Sequence, residues 1–428
     1  MPPSLIDRLP LHLPKLFKAQ QRFPEQCVND IPATVDAQLR QLDLSNRVAP
    51  GDRIAITAGS RGIANIAEIT KGIVDHVRQL GAEPFLVPAM GSHGGATAEG
   101  QTNVLATLGI TEETCGCPIL SSMDTVVVCK SAEGVDVHFD RHAFEADHVI
   151  VCNRVKLHTI FHGPIQSGLM KMLLIGLGKH VGASTYHRAF RDYSFDQIVR
   201  SVSSTVIEKC GILAGLAIVE NGYEQTTRIQ SVHPGDFVAA EPGLLQLSRE
   251  SMARLPFDRL DVLIVDEIGK DISGAGMDTN VIGRKVNPDA ALDDEWPKIK
   301  RIVVRGLTEK THGNATGIGS ADITTQRVID AIDNHATSVN CLTSGRTAMA
   351  AIPLHVPTER EAIQAAVRMV GLTPPEQARL VRIRNTLELD RLVCSEVLLE
   401  EVSRNPQMEI LSDLHPMAFD EQGDLIDF

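Results

Sequence analysis

The sequence predicts an α/β protein made of two Rossmann-like, doubly wound domains with a ligand cleft between them. Short apolar runs alternate with amphipathic helical patterns from residue 53 onward, and glycine-rich loops follow several of the predicted strands. The same alternation begins again near residue 257. Since 428 residues are enough for two cores, we place an N-terminal cofactor-binding domain at 1–255 and a C-terminal, substrate-closing domain at 256–428.

The first predicted domain opens with an irregular, Pro- and Leu-rich arm over residues 1–50, which we expect to wrap around that domain. Regular strands and helices follow it. Each strand reads as a buried apolar run, and each helix is bounded by a glycine or a capping residue. In chain order they are a strand at 53–59, a helix at 65–81, a strand at 83–91, a helix at 97–109 with Thr97 as its N-cap, and a strand at 147–155.

The rest of the chain continues the pattern with more helix. Residues 188–250 are predicted to be helical with one β excursion near "GLAIVENG". Strands followed by glycine-rich loops are predicted within 257–276 and 298–319. From residue 358 the tail is predicted to be mostly helical, with 382–402 as its clearest helix.

Composition and charge exclude several classes of function. The net charge of -13 and the 4% aromatic content argue against a nucleic-acid or anionic-membrane surface. Eight scattered cysteines indicate reduced thiols, and the close pair Cys115 and Cys117 is a weak metal signal. The sequence shows neither a secretory leader nor a run of about 18 apolar residues. We therefore expect a cytoplasmic protein.

Two loops of the first domain are suited to an anion. "TAGSRG" (57–62) and "MGSHGGAT" (90–97) each leave a predicted strand and enter a helix. Their glycines let backbone N–H groups converge, and a helix N-terminus adds partial positive charge. Arg61 offers a bidentate fork for phosphate or carboxylate, and His93 titrates near neutral pH. "HGGAT" at 93–97 also recurs as "HGNAT" at 312–316.

Residues 153–190 hold the densest set of reactive side chains. His158, His162, Lys171, His180 and His187 fall within this stretch, without metal-site spacing of the H-E-x-x-H kind. Lys171 interrupts the apolar, glycine-punctuated run "SGLMKMLLIGLG". Its ammonium either snorkels to solvent, or loses hydration and becomes a nucleophilic amine.

These motifs resemble the nickel-dependent lactate racemase family, as a divergent branch. The resemblance is carried by the histidine after the second strand, by "NRVKLHT", and by a lysine followed sixteen positions later by a histidine. "GPIQSGLMKMLLIGLGK" and "HGNATGIGSADITTQRVIDAID" also resemble a branch whose members mostly lack an assigned substrate. The resemblance implies that Lys171 carries a nickel pincer nucleotide (nickel pyridinium-3,5-bisthiocarboxylic acid mononucleotide) through a thioamide and that His187 binds the nickel. The associated cofactor-binding positions are Gly59, Ser60, Gly94, Gly95 and Gly168.

The resemblance implies an isomerase, a racemase or epimerase of a 2-hydroxy acid that works by reversible hydride transfer from C2. His93 is then one acid/base and His158 the other, with His162 as the rival for the second role. Arg61 would hold the substrate carboxylate, and Lys270 is the candidate cation of the second domain. The implied partners are a small 2-hydroxy acid and the cofactor-synthesis enzymes, and the chain is a candidate homodimer.

Two departures from the racemase pattern keep other functions open. Ala58 stands where the racemases have an aspartate that supports a catalytic histidine, and Leu157 replaces a proline before the second base. One alternative is a cofactor-free enzyme in which Lys171 forms a Schiff base. The other is a non-catalytic protein that binds a small anion, which Ala58 supports best.

Overall fold

The computed structural model describes residues 12–285, 291–293 and 295–426. The chain divides into two compact units. The first unit is residues 24–252, and the second unit joins residues 12–23 to residues 253–426. Within the described ranges, every helix is too short or too polar to cross a membrane.

The strands and helices alternate along most of the chain, and short 3₁₀ turns join several of them. The strands are β1 (Leu16–Gln21), β2 (Arg53–Ala58), β3 (Glu83–Pro88), β4 (Thr125–Lys130), β5 (Asp136–Asp140), β6 (His148–Arg154), β7 (Ile212–Glu220), β8 (Thr226–Val232), β9 (Arg259–Val265), β10 (Lys298–Val304), β11 (Ile323–Thr325), β12 (Leu354–Val356), β13 (Leu380–Ile383), β14 (Arg391–Ser395) and β15 (Met408–Ile410). The helices are α1 (Ile31–Arg40), α2 (Ile66–Gln79), α3 (Ala98–Thr107), α4 (Glu112–Cys115), α5 (Arg141–Phe144), α6 (Gly168–Lys171), α7 (Lys179–Ala189), α8 (Phe195–Lys209), α9 (Phe237–Ser251), α10 (Thr279–Ile282), α11 (Gln326–Asp330), α12 (Asn334–Ser344), α13 (Glu359–Arg368) and α14 (Leu399–Arg404).

The sheet of the first unit has the strand order β3-β2-β6-β7-β8. The first four of these strands run parallel, and β8 returns antiparallel to β7. β2 pairs with β3 on one side and with β6 on the other, so the chain reverses its winding direction between β2 and β6. Ligands of doubly wound sheets bind at such a switch point, outside the carboxyl ends of the strands.

Both faces of this sheet are covered, as a parallel sheet requires. Along β6, Val149 and Val151 pack into the core on one face, and Ile150 and Cys152 pack into the core on the other. The helices predicted at 65–81 and 97–109 are present as α2 and α3. In particular, the Thr97 side chain caps α3 by accepting a hydrogen bond from the Gly100 N–H.

The sheet of the second unit has the order β12-β11-β10-β9-β13-β14-β1-β15. Strands β9 to β13 run parallel to one another. β14, β1 and β15 each run antiparallel to the strand that precedes them in this order. Its switch point lies between β9 and β13. Two mixed, mostly parallel sheets confirm the predicted α/β fold class.

The expectation of an irregular arm is wrong for the described part of residues 1–50. Residues 16–21 form β1, which lies between β14 and β15 in the sheet of the second unit. Leu16, Phe17 and Ala19 are buried there. α1 is a regular helix whose N-cap is the Asp30 carboxylate. Long-range pairing, which a local pattern does not reveal, produces β1.

The helix expected at 382–402 is also wrong. This stretch contains the end of β13, all of β14 and the start of α14. Asn385 begins the connection between the two strands, because its side-chain oxygen accepts hydrogen bonds from the backbone of Leu387 and Glu388. Every residue of β13 is buried beside β9. The stabilisation from this burial outweighs the helical preference that the spacing of the charged residues indicates.

Candidate active site

The predicted site residues of the first unit gather at the switch point between β2 and β6. Ser60 and Arg61 lie in the loop that follows β2, and His158 and Lys171 lie in the segment that follows β6. The two segments touch, because a Cβ added to Gly59 would be 3.3 Å from the terminal methyl group of Met172. The topology therefore brings together residues that are about 110 positions apart in the sequence.

Lys171 is the last residue of α6 and is followed by a π-helical turn, Met172–Gly176. Single π turns inside helices are frequent at functional sites. The short helix is held from several sides. The Asn153 side-chain amide donates to the Gly168 carbonyl at 2.8 Å, and the Ser203 hydroxyl donates to the Met170 carbonyl at 2.9 Å. These bonds fix the backbone that presents the Lys171 amine.

A buried carboxylate caps the start of α6. Glu241 is 1% exposed, and its Oε1 accepts a hydrogen bond from the Met170 N–H at 2.9 Å. Burial raises the pKa of Glu241 to about 8, against the lowering effect of the Met170 and Leu169 N–H groups. Its Oε2 is buried without a hydrogen-bond partner among the described residues. Gly168 is required here, because its φ is +77° and a Cβ would overlap Glu241.

The Lys171 side chain is half-buried, and its Nζ lies 5.4 Å from the centre of the Phe161 ring. Burial, and after it the positive charge of Arg61, together lower the pKa of Lys171 to about 7. The amine is therefore largely neutral at physiological pH.

Three phenylalanines form a wall beside the amine, which we call the aromatic cluster (Phe161, Phe190 and Phe195). Phe161 stacks on Phe195 with 3.9 Å between ring centres, and meets Phe190 edge-on at 5.3 Å. His158 stacks on Phe161 at 4.2 Å, and His187 meets Phe190 edge-on at 5.4 Å. Lys171, His158 and His187 thus border the same cluster.

His187 lies two turns along α7. Burial lowers the pKa of His187, and the positive charge of Lys171 acts in the same direction. The imidazole is therefore neutral at physiological pH and available as a ligand. Its neighbour Tyr186 anchors the helix, because the Tyr186 hydroxyl accepts a hydrogen bond from the His138 N–H at 2.9 Å. Among the described residues, no three or more His, Cys, Asp or Glu side chains are arranged to hold a metal ion.

Hydrogen bonds at His158 fix one ring nitrogen as an acceptor. The backbone N–H groups of Ile160 and Phe161 both donate to its Nδ1, at 3.1 and 3.2 Å. The neutral imidazole therefore carries its proton on Nε2. Protonation of both nitrogens would require His158 to give up both backbone bonds.

His93 has a different kind of partner. Its Nδ1 forms a short hydrogen bond with the Ser60 hydroxyl. A hydroxyl can donate or accept, so this contact persists whichever tautomer His93 adopts and also when the ring is protonated. The side chain that contacts His93 Nδ1 therefore comes from Ser60, two positions after Ala58.

The two neighbouring glycines of the His93 loop have different surroundings. Gly94 has a φ of +66°, and a Cβ there would overlap the backbone of Gly100 and Gln101 at the start of α3. Gly95 has the same φ but faces open space. The His93 loop is therefore packed closely against α3 through Gly94.

Sequence reasoning missed three buried polar residues behind the site, namely Lys179, Gln101 and Glu241. Lys179 is 0% exposed and is thus more deeply buried than Lys171, which is half-buried. The available signal was a second lysine directly after the apolar "LLIGLG" run. Gln101 and Glu241 lie on amphipathic helices and gave no comparable signal.

Lys270 belongs to the second unit, in the loop after β9 at that unit's switch point. Its Nζ donates to the Gly274 carbonyl at 2.6 Å and to the Asn340 side-chain oxygen at 2.9 Å. His312 of the second "HG" motif adopts a left-handed conformation with φ +47° and is exposed. A substrate role for Lys270 stays a prediction.

Comparison with known proteins gives one family match and two similar solved structures. The model of the lactate racemase N-terminal domain matches residues 17–196. The lactate racemase apoprotein from Thermoanaerobacterium thermosaccharolyticum has a similar structure, with a TM-score of 0.55 and 13% identity over 87% of this chain and 99% of that chain. A protein from Thermotoga maritima gives a TM-score of 0.48 and 14% identity over 76% of this chain and 84% of its own. No curated protein matches the chain.

At 13% identity, the similarity to the apoprotein concerns the fold. The family model adds the sequence of the segment that contains Arg61, His93, His158, Lys171 and His187. Residues 17–196 are therefore identified as a lactate racemase N-terminal domain.

Proposed function

We propose that this chain is a racemase or epimerase of a 2-hydroxy acid that uses a nickel pincer nucleotide attached to Lys171. The observation that carries the proposal is the shared position of Lys171, His158 and His187 around the aromatic cluster, with Arg61 close enough to shift the Lys171 pKa. Neither the substrate nor the chemistry follows from the family match alone.

The residues present fit this cofactor. Lys171 offers a primary amine whose pKa is about 7, so a large fraction is neutral and open to acylation. His187 offers a neutral imidazole on the next helix, and imidazole is a suitable ligand for nickel. When bound, the cofactor would accept a hydride from C2 of the substrate and return it to either face.

His93 is the proposed acid/base for the substrate hydroxyl. In the tautomer that carries its proton on Nδ1, His93 donates to the Ser60 hydroxyl and Nε2 is the basic nitrogen. When Nε2 takes up a proton, the Ser60 contact is retained, so the transfer costs no hydrogen bond. Arg61 supplies the positive charge for the substrate carboxylate.

His158 receives a different role from the one expected. Because its Nδ1 already accepts two backbone N–H groups, its Nε2–H is better suited to donate a hydrogen bond to a substrate oxygen than to remove a proton. His162, which is exposed in the same segment, remains the candidate for a second acid/base. Removing the proton from either enantiomer requires such a second group.

The test is an assay of the chain produced together with the cofactor-synthesis enzymes. A panel of 2-hydroxy acids is scored for interconversion of enantiomers, with Lys171→Arg as the inactive control. His158→Gln retains a side-chain donor, so we expect it to keep measurable activity, whereas His93→Gln should lose it. Absence of turnover on any member of the panel, in protein shown to carry cofactor, would count against the proposal.

One observation favours a second candidate function. A lysine with a pKa of about 7 beside an arginine is also suited to form a Schiff base with a carbonyl substrate. Borohydride treatment of the chain with candidate 2-oxo acids, in the absence of nickel, separates the two functions. Reductive trapping on Lys171 would support the Schiff-base enzyme, and its absence would remove that candidate.

A further inference from the structure

We propose that Lys179 and Gln101 are positioning residues that hold the His93 loop in place relative to the helix that carries His187. Neither residue borders the aromatic cluster, and the proposed chemistry does not use them. Their effect on catalysis rests on the proposed function, whereas their effect on the loop does not.

The ammonium of Lys179 donates two hydrogen bonds and forms one ion pair. Its Nζ donates to the Pro88 carbonyl at 2.7 Å and to Oε1 of Gln101 at 3.0 Å, and lies 3.3 Å from Oδ2 of Asp140. Lys179 and Asp140 are both fully buried. A buried ammonium is costly unless it is paired and hydrogen-bonded, so these three contacts together favour one geometry for Lys179.

The Gln101 side chain connects Lys179 to the His93 loop through hydrogen bonds. While its Oε1 accepts from Lys179, its Nε2 donates to the Gly91 carbonyl at 2.9 Å and to the His93 carbonyl at 3.4 Å. The loop is thus held at Pro88 by Lys179 and at Gly91 and His93 by Gln101. Because Gln101 is 0% exposed, water does not compete for these bonds.

Lys179 is also the first residue of α7, and His187 lies eight positions later on the same helix. At 1.5 Å per residue this separation is about 12 Å along a rigid element. Lys179 adopts a left-handed conformation with φ +55°, which is uncommon for a residue other than glycine. Such strain persists where the surrounding contacts determine the conformation. One side chain therefore connects the proposed acid/base to the proposed nickel ligand.

The first test changes only the donors to the loop. Gln101→Glu keeps the acceptor for Lys179 and nearly the same volume, but it lacks the N–H groups that bind Gly91 and His93. Asn103→Asp makes the same chemical change at an exposed position of the same helix and is the matched control. Hydrogen exchange is measured by mass spectrometry on the cofactor-free chain. Peptides from residues 89–97 should exchange at least about tenfold faster in Gln101→Glu, whereas those from β6 and those of the control should not change.

A second variant covers the case in which Gln101→Glu fails to fold. Lys179→Met combined with Asp140→Asn removes the buried charges together and keeps the Asp140 oxygen that caps α5. It should accelerate exchange in the same peptides. Unchanged exchange at 89–97 in either folded variant, or a uniform increase across residues 24–252, would overturn the proposal.

A ring-nitrogen measurement separates positioning from general stabilisation. In ¹⁵N-histidine spectra of the cofactor-free chain, His93 should give the signature of one fixed hydrogen-bonded tautomer, which His93→Gln identifies. In Gln101→Glu this signature should become averaged while the His158 signals stay unchanged; unchanged His93 signals would contradict the proposal. The hydrogen-exchange and ¹⁵N-histidine measurements use the cofactor-free chain and do not depend on racemase activity. Failure of the proposed function would therefore leave this proposal testable, and the two failures can be distinguished.

Discussion

The Nζ of Lys171 lies 5.4 Å from the centre of the Phe161 ring. An aromatic face favours a cation weakly, whereas the enclosing protein and Arg61 disfavour it. The balance leaves the amine poised between its two forms near neutral pH. The same ring stacks on His158 and so ties the reactive lysine to a second site residue.

Lys171 should react with amine-directed acylating reagents at an unusually low pH. Its pKa is lowered to about 7, so the reactive neutral form is half populated near that pH, about three units below an ordinary lysine. The rate of labelling at Lys171 is followed by peptide mass spectrometry from pH 5 to pH 10, with the exposed Lys209 as the reference in the same sample.

Arg61→Gln is the informative variant for this profile. Loss of the neighbouring positive charge should raise the Lys171 pKa and shift its labelling curve to higher pH. If labelling of Lys171 and of Lys209 rose over the same pH range, the Lys171 amine would not be desolvated.

Glu241→Gln should change how stability depends on pH. The pKa of Glu241 is raised from 4.5 to about 8, so the unfolded chain loses this proton first, and native stability falls as pH rises from about 4.5 to about 8. The glutamine variant lacks this loss. It should match the parent near pH 4.5 and exceed it by about 5 kcal/mol above pH 8.

Denaturant unfolding at pH 4.5, 6.5 and 8.5 checks this expectation. Glu250→Gln, at an exposed position of the same helix, controls for a general charge effect. A difference between Glu241→Gln and its parent that stays constant over the three pH values would contradict the raised pKa.

Gly168→Ala should destabilise the first unit and disturb Lys171 together. The alanine would need φ +77°, and its Cβ would overlap Glu241 and approach Val155 Cγ2 to 3.0 Å. We expect a loss of about 2 kcal/mol or more and a lower labelling rate at Lys171 near pH 7.

Gly243→Ala is the matched control, because a Cβ there meets no atom within 4 Å and the residue lies inside α9. It should be neutral or slightly stabilising. A Gly168→Ala variant that behaves like this control would show that the caps of α6 tolerate displacement.

Much of the first unit was predictable because its signals are local. The apolar runs of β2, β3 and β6 and the Thr97 cap fall where the pattern places them, and the loops that follow these strands carry the expected residues. The meeting of these loops could be predicted because the carboxyl ends of parallel strands lie at one edge of the sheet.

What the sequence did not reveal depends on contacts between distant segments. β1 becomes a strand only because β14 and β15 lie on either side of it. The roles of Lys179 and Glu241 depend on partners 39 or more positions away, such as Asp140 and Met170, and a single-residue pattern carries no trace of them. The hydrogen bonds that distinguish His158 from His93 are likewise set by loop geometry.

The most direct test of the central claim is intact mass and nickel content of the chain produced with the cofactor-synthesis enzymes, compared with Lys171→Ala and His187→Ala. A covalent mass increase located on Lys171, about one nickel per chain, and loss of the metal in both variants are the predicted results. A chain that acquires neither the mass nor the nickel, or that keeps both in Lys171→Ala, would contradict the claim.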